Sequence, residues 1–266
     1  MKVVPFIYRA ILIAVVLIFS GCGGFLASLH RGPIDRESTR IAERLIDDIL
    51  NAQNSPDTFK GIGKIKIEQE NRLQSGRMAW IGSLPAKLRI QLLSFAGQSA
   101  ATLSSDGEYL YIIDHGQRRF YKRKLSGTDL KRVLSIPLPP DDIADILAGR
   151  TPVIDYTFAT VDQTIDSGPV LILEKGFWAE YEKIYFDEQM ERVIAAEFYR
   201  SDGDLKYRVV FEKLRTLKGY RVPVRIVLTD GRNTEIILDV ERYWVDAAVL
   251  PTAFVLTPPE PETKDF

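Results

Sequence analysis

The chain has 266 residues, 35 Lys and Arg against 36 Asp and Glu, one cysteine, two histidines and 45% apolar residues. A pI near 6.2 without a basic excess excludes a nucleic-acid binder that works by neutralising phosphates, and a single cysteine excludes a disulfide framework. The length and apolar content suit one large β domain with a sizeable core.

Residues 1–21 read as a signal peptide, with Lys2 and Arg9 as the basic start, Ala10 to Phe19 as the apolar run, and Ser20-Gly21 as the small residues before a cut. The apolar run is half the roughly 20 residues that a membrane span requires. The next residue, Cys22, is the only thiol, and an exported lone cysteine has no disulfide partner. Small-small-Cys resembles the lipobox of bacterial lipoproteins, with Phe19 where Leu is usual. That likeness implies S-diacylglyceryl and N-acyl groups on Cys22 and no other cofactor. Each buried methylene contributes about 0.8 kcal/mol, so two or three chains make a durable anchor. Loss of residues 1–21 removes two cations and leaves the mature chain slightly more acidic.

Residues 22–34 read as a lipidated tether, with three glycines and Pro33 over Gly23 to Pro33. A folded domain over 35–256 follows. Asp35 to Asn51 has Ile41, Leu45 and Ile49 four apart between charged residues, which predicts an amphipathic helix. From Thr58 the period becomes two, as in Ile65 and Ile67, Met78 and Trp80, and Leu88, Ile90 and Leu92. Strands are expected there and near Ser99–Ser104, Tyr109–Ile113 and Arg118–Lys122. Two short helices then follow at Thr128–Ser135 and Pro140–Ala148, the second with Pro140 in its first turn and Gly149 as its stop. The alternation resumes near Ile154–Val161, Val170–Leu173, Tyr181–Phe186, Val193–Tyr199, Leu205–Glu212, Val222–Leu228 and Glu235–Tyr243, with Asp202-Gly203 and Asp230-Gly231 as hairpin turns. Residues 257–266 form a Pro-rich tail, extended or disordered.

A meander of this width curls around whatever covers its apolar face. The expected fold is mainly β: an unclosed antiparallel barrel of about 11–12 strands, capped by about three short helices around an apolar cavity. Trp80, Ile90, Leu92, Phe158, Ile184, Phe186, Phe211, Ile226 and Leu228 are its expected lining. Alternation reveals an apolar face and not a void, so an open cavity and a packed one both remain.

No catalytic or metal constellation emerges. His30 and His115 lack partners for a relay or a metal site. Asp141, Asp142 and Asp145 read as a solvent-facing match to a helix dipole. Gly61-Ile62-Gly63 precedes strand rather than helix, unlike a phosphate loop. The conspicuous feature is Leu92-Leu93-Ser94-Phe95-Ala96-Gly97 between two strands, with Phe95, Ala96 and Gly97 at a loop tip. An aromatic there either meets a membrane or partner or folds back onto the sheet.

The Cys22 lipobox, the early helix, Arg77-Met-Ala-Trp, Leu88-Arg-Ile-Gln-Leu-Leu-Ser-Phe-Ala-Gly, Ile136-Pro-Leu-Pro-Pro, Ile146-Leu-Ala-Gly-Arg and Leu205-Lys-Tyr-Arg-Val-Val-Phe together resemble the LolB-like outer-membrane lipoproteins of the LolA/LolB superfamily. The resemblance implies a protein that takes acyl chains of lipoprotein cargo from a LolA-like periplasmic carrier and inserts them in outer-membrane lipid; a monomer is expected and, for want of a relay or metal set, no enzyme. It also implies a transfer loop with an exposed Leu before Gly, where this chain has Ala96 before Gly97 and Phe95 ahead of both. Gly23 after Cys22, in place of the Asp common in inner-membrane lipoproteins, implies the periplasmic face of the outer membrane. The alternatives are a half-barrel scaffold in an envelope complex and a carrier of another amphiphile, a phospholipid or glycolipid.

Overall fold

In the computed structural model, residues 36–50, 55–94, 96–125, 136–163, 168–176 and 179–258 are described. Cys22, the tether, Phe95, the expected helix at 128–135 and residues 259–266 of the tail fall outside them.

Alternation of apolar and polar residues gives thirteen antiparallel strands among the described residues: β1 Thr58–Gln69, β2 Arg72–Ser83, β3 Lys87–Leu93, β4 Ser99–Asp106, β5 Tyr109–Asp114, β6 Arg119–Lys124, β7 Phe158–Asp162, β8 Val170–Glu174, β9 Tyr181–Phe186, β10 Val193–Tyr199, β11 Leu205–Leu217, β12 Tyr220–Thr229 and β13 Thr234–Val245. They form one sheet in the order β6-β5-β4-β3-β2-β1-β13-β12-β11-β10-β9-β8-β7. The terminal strands β6 and β7 do not pair with each other, so the barrel is unclosed. The sequence correctly implies this architecture, with one or two strands more than expected.

The two open edges are blunted differently, as exposed strand edges must be. On β6, Arg119, Lys122, Arg123 and Lys124 are all exposed. On β7, the Ser38 hydroxyl donates to the Val161 carbonyl and accepts from the Val161 N–H, each at 3.0 Å. Ser38 belongs to α1, Arg36–Leu50, which buries Ala42, Leu45 and Ile46 in the core.

The second described helix, α2 (Pro140–Ala148), begins on a proline and stops at Gly149, whose left-handed φ of 85° suits a residue without a Cβ. It lies against β2, β3 and β12 and buries Ile143, Ala144, Ile146 and Leu147. Its inner-face neighbours include an aromatic group made possible by glycine. Trp80 sits opposite Gly61, where any Cβ would come 2.1 Å from the indole. This close approach lets Trp80 pack edge-on to Tyr243, centroids 6.4 Å apart, while Phe59 stacks on Tyr243 at 6.0 Å.

Two details depart from the sequence reading. The expected strand at Ile154–Val161 starts only at Phe158, because the Ile154 N–H bonds to the Glu182 carboxylate at 3.0 Å instead of a neighbouring strand. Before the tail, Pro251–Phe254 forms a 3-10 turn that packs on β3 and β4. Phe254 and Leu256 are buried there, and the Ser104 hydroxyl donates to the Phe254 carbonyl at 2.7 Å.

All described strands, both helices from Glu37 onward and the whole buried core lie within one unit, Glu37–Phe266. A chain starting at Gly23 therefore retains the entire hydrophobic core that a domain needs to fold alone.

Candidate functional site

The inner face of the sheet and the inner side of α2 enclose a small, wholly apolar cavity of about 50 Å³. Its walls are Ile65, Met78, Ile90, Ile226, Leu228, Ile236 and Leu238 from the sheet, with Leu138, Ile143, Ile146 and Leu147 from the helix and its lead-in. Ligand pockets span roughly 300–1,000 Å³. With α2 in place this space is well below that range, and the concavity is largely packed.

Three polar groups on the inner face hold α2 and its exit in place. The Tyr207 hydroxyl donates to Asp142 Oδ2 at 2.5 Å, and the Tyr243 hydroxyl donates to the Leu147 carbonyl at 2.9 Å. Glu182, fully buried, accepts from the Ile154 N–H just beyond the helix, while its Oε1 has no partner among the described residues. Burial pushes the Glu182 carboxyl well above the usual range, against the pull of the Ile154 N–H, and the neighbouring Asp142 charge adds to the rise. Burial also raises Asp142 to about 6, opposed by the Tyr207 hydroxyl and Lys206, and raises Asp145 to about 6, opposed by Arg150. The reading of these aspartates as a solvent-facing dipole match is thus corrected for Asp142, which meets Tyr207 beneath the helix, and for Asp145, which is half-buried.

The expected lining residues fall into distinct places. Ile90, Ile226 and Leu228 line the apolar cavity. Trp80 and Ile184 are buried in the core around it, and Leu92 is half-buried against that core. Phe186 and Phe211 are buried but border a second space, an open cleft of about 600 Å³ beside Gly149 and Arg150. Phe158 is the correction: it is 41% exposed, and its pairing with Glu174 puts it opposite the face that carries Leu171 and Leu173. Ala159 and Val161 are the β7 residues packed on the core.

The sequence list of lining residues omits Ile143, Ile146 and Leu147, although their helical spacing was visible. It also omits Glu182, a carboxylate in inward register with Ile184 and Phe186. A charged residue on an otherwise apolar parity is the signal that marks it. In the β3–β4 loop, Ala96 and Gly97 are exposed, Gly97 has φ 79° and the Gly97 N–H bonds back to the Ser94 carbonyl at 2.9 Å. His115 lies in the β5–β6 turn, its Nε2 2.9 Å from the Thr102 hydroxyl. No described helix is long and apolar enough to cross a membrane. Among the described residues, no group of three or more His, Cys, Asp and Glu is placed to hold a metal ion.

An unclosed antiparallel half-barrel with a helix lodged in an apolar concavity defines a structural class with solved members of very different sequence. A DUF1329 family protein from Desulfovibrio piger superposes with a TM-score of 0.60 at 10% identity, over 82% of this chain and 97% of that one. A LolA superfamily protein from Nitrosomonas europaea gives 0.58 at 15% identity, over 81% and 97%. A protein domain from Vibrio parahaemolyticus gives 0.56 at 9%, over the same shares. At such identities these likenesses establish the fold. The sequence itself matches the family model "Outer membrane lipoprotein LolB" over residues 57–243, and the chain belongs to that family. No individually curated protein matches it in sequence.

Proposed function

We propose that this protein is anchored by acyl groups on Cys22 to the periplasmic face of the outer membrane, receives the acyl chains of lipoproteins from a LolA-like soluble carrier, and passes them to the bilayer. The observation that carries the reading is the wholly apolar cavity between α2 and the inner sheet face in a LolB-family half-barrel. Transfer needs no fuel if each site binds the chains more favourably than the last, because apolar burial supplies the gradient.

In this mechanism α2 acts as the movable wall. Its attachment to the sheet combines apolar contacts with the Tyr207–Asp142 and Tyr243–Leu147 hydrogen bonds. An incoming chain replaces the apolar contacts of Ile143, Ile146 and Leu147 with its own, so the helix can lift without exposing the inner face to water. The exposed Ala96-Gly97 turn is too short in side chain to enter a bilayer, which leaves Phe95 as the apolar probe of that loop. Phe95→Asp is therefore expected to leave folding intact and to strand lipoprotein cargo on the periplasmic carrier, as read by fractionation of cells that depend on this protein. Normal sorting in that variant contradicts the role assigned to the loop.

A further inference from the structure

The cleft of about 600 Å³ has a volume in the range of small-molecule sites and differs from the apolar cavity in its chemistry. Its apolar side is formed by residues such as Phe186, Phe211 and Leu214. Its polar side brings together three arginines, Arg150, Arg192 and Arg221, with two carboxylates, Asp48 and Glu191. Phe211 on the cleft side pairs across the sheet with Ile226, which lines the cavity. The two spaces thus adjoin along one pair of neighbouring residues, with Gly149 and Arg150 at the end of α2 beside them.

The charges of the cleft are unequally committed. Arg192 is paired with Asp187 at 2.7 Å. Arg150 leans on the Ser55 hydroxyl and lies 3.5 Å from the exposed Asp57. Arg221 donates to a backbone oxygen, the Glu191 carbonyl, at 3.2 Å, and has no carboxylate partner among the described residues. Neither Asp48 nor Glu191 has an ion-pair partner for its carboxylate among those residues. A rim with one uncommitted guanidinium, a second that is loosely held and two uncommitted carboxylates suits a ligand carrying both signs of charge. Simple anions would meet the carboxylates, and simple cations the arginines.

We infer that this cleft is a subsite for the zwitterionic head of an ethanolamine glycerophospholipid, whose acyl chain runs past Phe211 into the concavity. The phosphate lies on Arg221 and Arg150, where charge-assisted and bidentate hydrogen bonds are strongest. The ammonium, with three N–H donors, lies toward Asp48 and Glu191. This assignment rests on the reading that the concavity takes acyl chains, and it adds a membrane lipid as a ligand beside the lipoprotein cargo.

The test uses the chain from Gly23 onward, loaded with a fluorescent acyl-chain probe that has no phosphate. The probe is displaced by palmitoyl lysophosphatidylethanolamine, by the matching lysophosphatidylglycerol, and by monopalmitoylglycerol. The ethanolamine lipid is expected to act at the lowest concentration. Arg221→Ala should raise the concentration needed for both phosphate-bearing lipids about tenfold, the scale of a lost hydrogen bond to a charged group, without changing release by monopalmitoylglycerol. Arg221→Lys should recover part of the loss. Asp48→Asn with Glu191→Gln, both on exposed side chains, should abolish the preference for ethanolamine over glycerol while leaving the phosphate effect. Equal displacement by all three lipids, or no response to these substitutions in folded protein, overturns the head-group subsite while the acyl-chain reading stands. Failure of the wild-type protein to bind the probe overturns both.

Discussion

At the residue scale, the inner face of this sheet is largely apolar, and Tyr207, Tyr243 and Glu182 are the polar groups on it that bond α2 or the segment just after it. Asp142, the partner of Tyr207, is the most informative of the groups involved. Its folded pKa is raised to about 6, chiefly by burial, so the folded state holds a proton that the unfolded state has already released. Stability is then greatest below about pH 4 for this group and is lost as the pH climbs through about 6, by roughly 3 kcal/mol on the scale of 1.36 kcal/mol per pKa unit. Asp145, also raised to about 6, adds in the same direction. The lowered carboxyls of Asp106, Asp187, Asp230 and Glu241 work the other way, but below their ordinary pKa values. Asp142→Asn keeps an acceptor for the Tyr207 hydroxyl and removes the titration. Its urea-unfolding free energy should fall less than that of the wild type between pH 4 and pH 7, and an unchanged slope contradicts the burial assigned to Asp142. Part of this arrangement was legible beforehand. Tyr207 alternates with Val209 and Phe211 and so reads as inward, and Glu182 shares the parity of Ile184 and Phe186. The partner of each was not legible, because only the fold brings β11 under α2, 65 positions earlier, and β9 beside Ile154, 28 positions earlier.

At the scale of elements, α2 is both a core helix and the wall of the cavity, and these roles oppose one another. Ile143→Ala removes three methyl or methylene groups from a buried site, which costs about 2–4 kcal/mol in comparable cores, yet it enlarges the space available to a chain. The expected outcome is a lower unfolding midpoint together with tighter binding of an acyl probe, and weaker binding contradicts the placement of the ligand beside α2. The C-terminal turn Pro251–Phe254 has a different task. It covers one part of β3 and β4, where Ser104 is fully buried and Arg89 donates to the Ala253 carbonyl at 3.1 Å. Phe254→Ala should therefore destabilise the domain by about 3 kcal/mol without affecting acyl-chain binding, as read by parallel denaturation and probe titration. The bounds of α2 were readable to the residue from Pro140 and Gly149, since a first-turn proline and a left-handed glycine act locally. The turn at Pro251–Phe254 was not readable. Its four residues have no periodicity, and Phe254 is buried only because a distant pair of strands lies beneath it.

At the scale of the whole molecule, the thirteen described strands, joined largely as a meander, make a sheet that curves without closing, because β6 and β7 lie at opposite ends of the strand order and do not pair. Period-two patterning and turn residues are enough to forecast such a sheet, since each strand pairs mainly with its neighbour in sequence. The exception is the pairing of β1 with β13, which joins the two halves and which no local signal encodes. The interior was less legible than the sheet. Alternation names the residues on the inner face but not how far a helix enters the concavity, and the resulting cavity of about 50 Å³ could only be read from the packed structure. The central claim is that this concavity accepts acyl chains when α2 moves. The direct measurement is displacement of a fluorescent acyl-chain probe from the chain beginning at Gly23, titrated with a triacylated lipopeptide. Saturable probe binding, displaced by the lipopeptide but not by the same peptide without acyl chains, is the predicted result. A folded protein that binds no probe would contradict the claim and leave a packed half-barrel that works as an anchored scaffold.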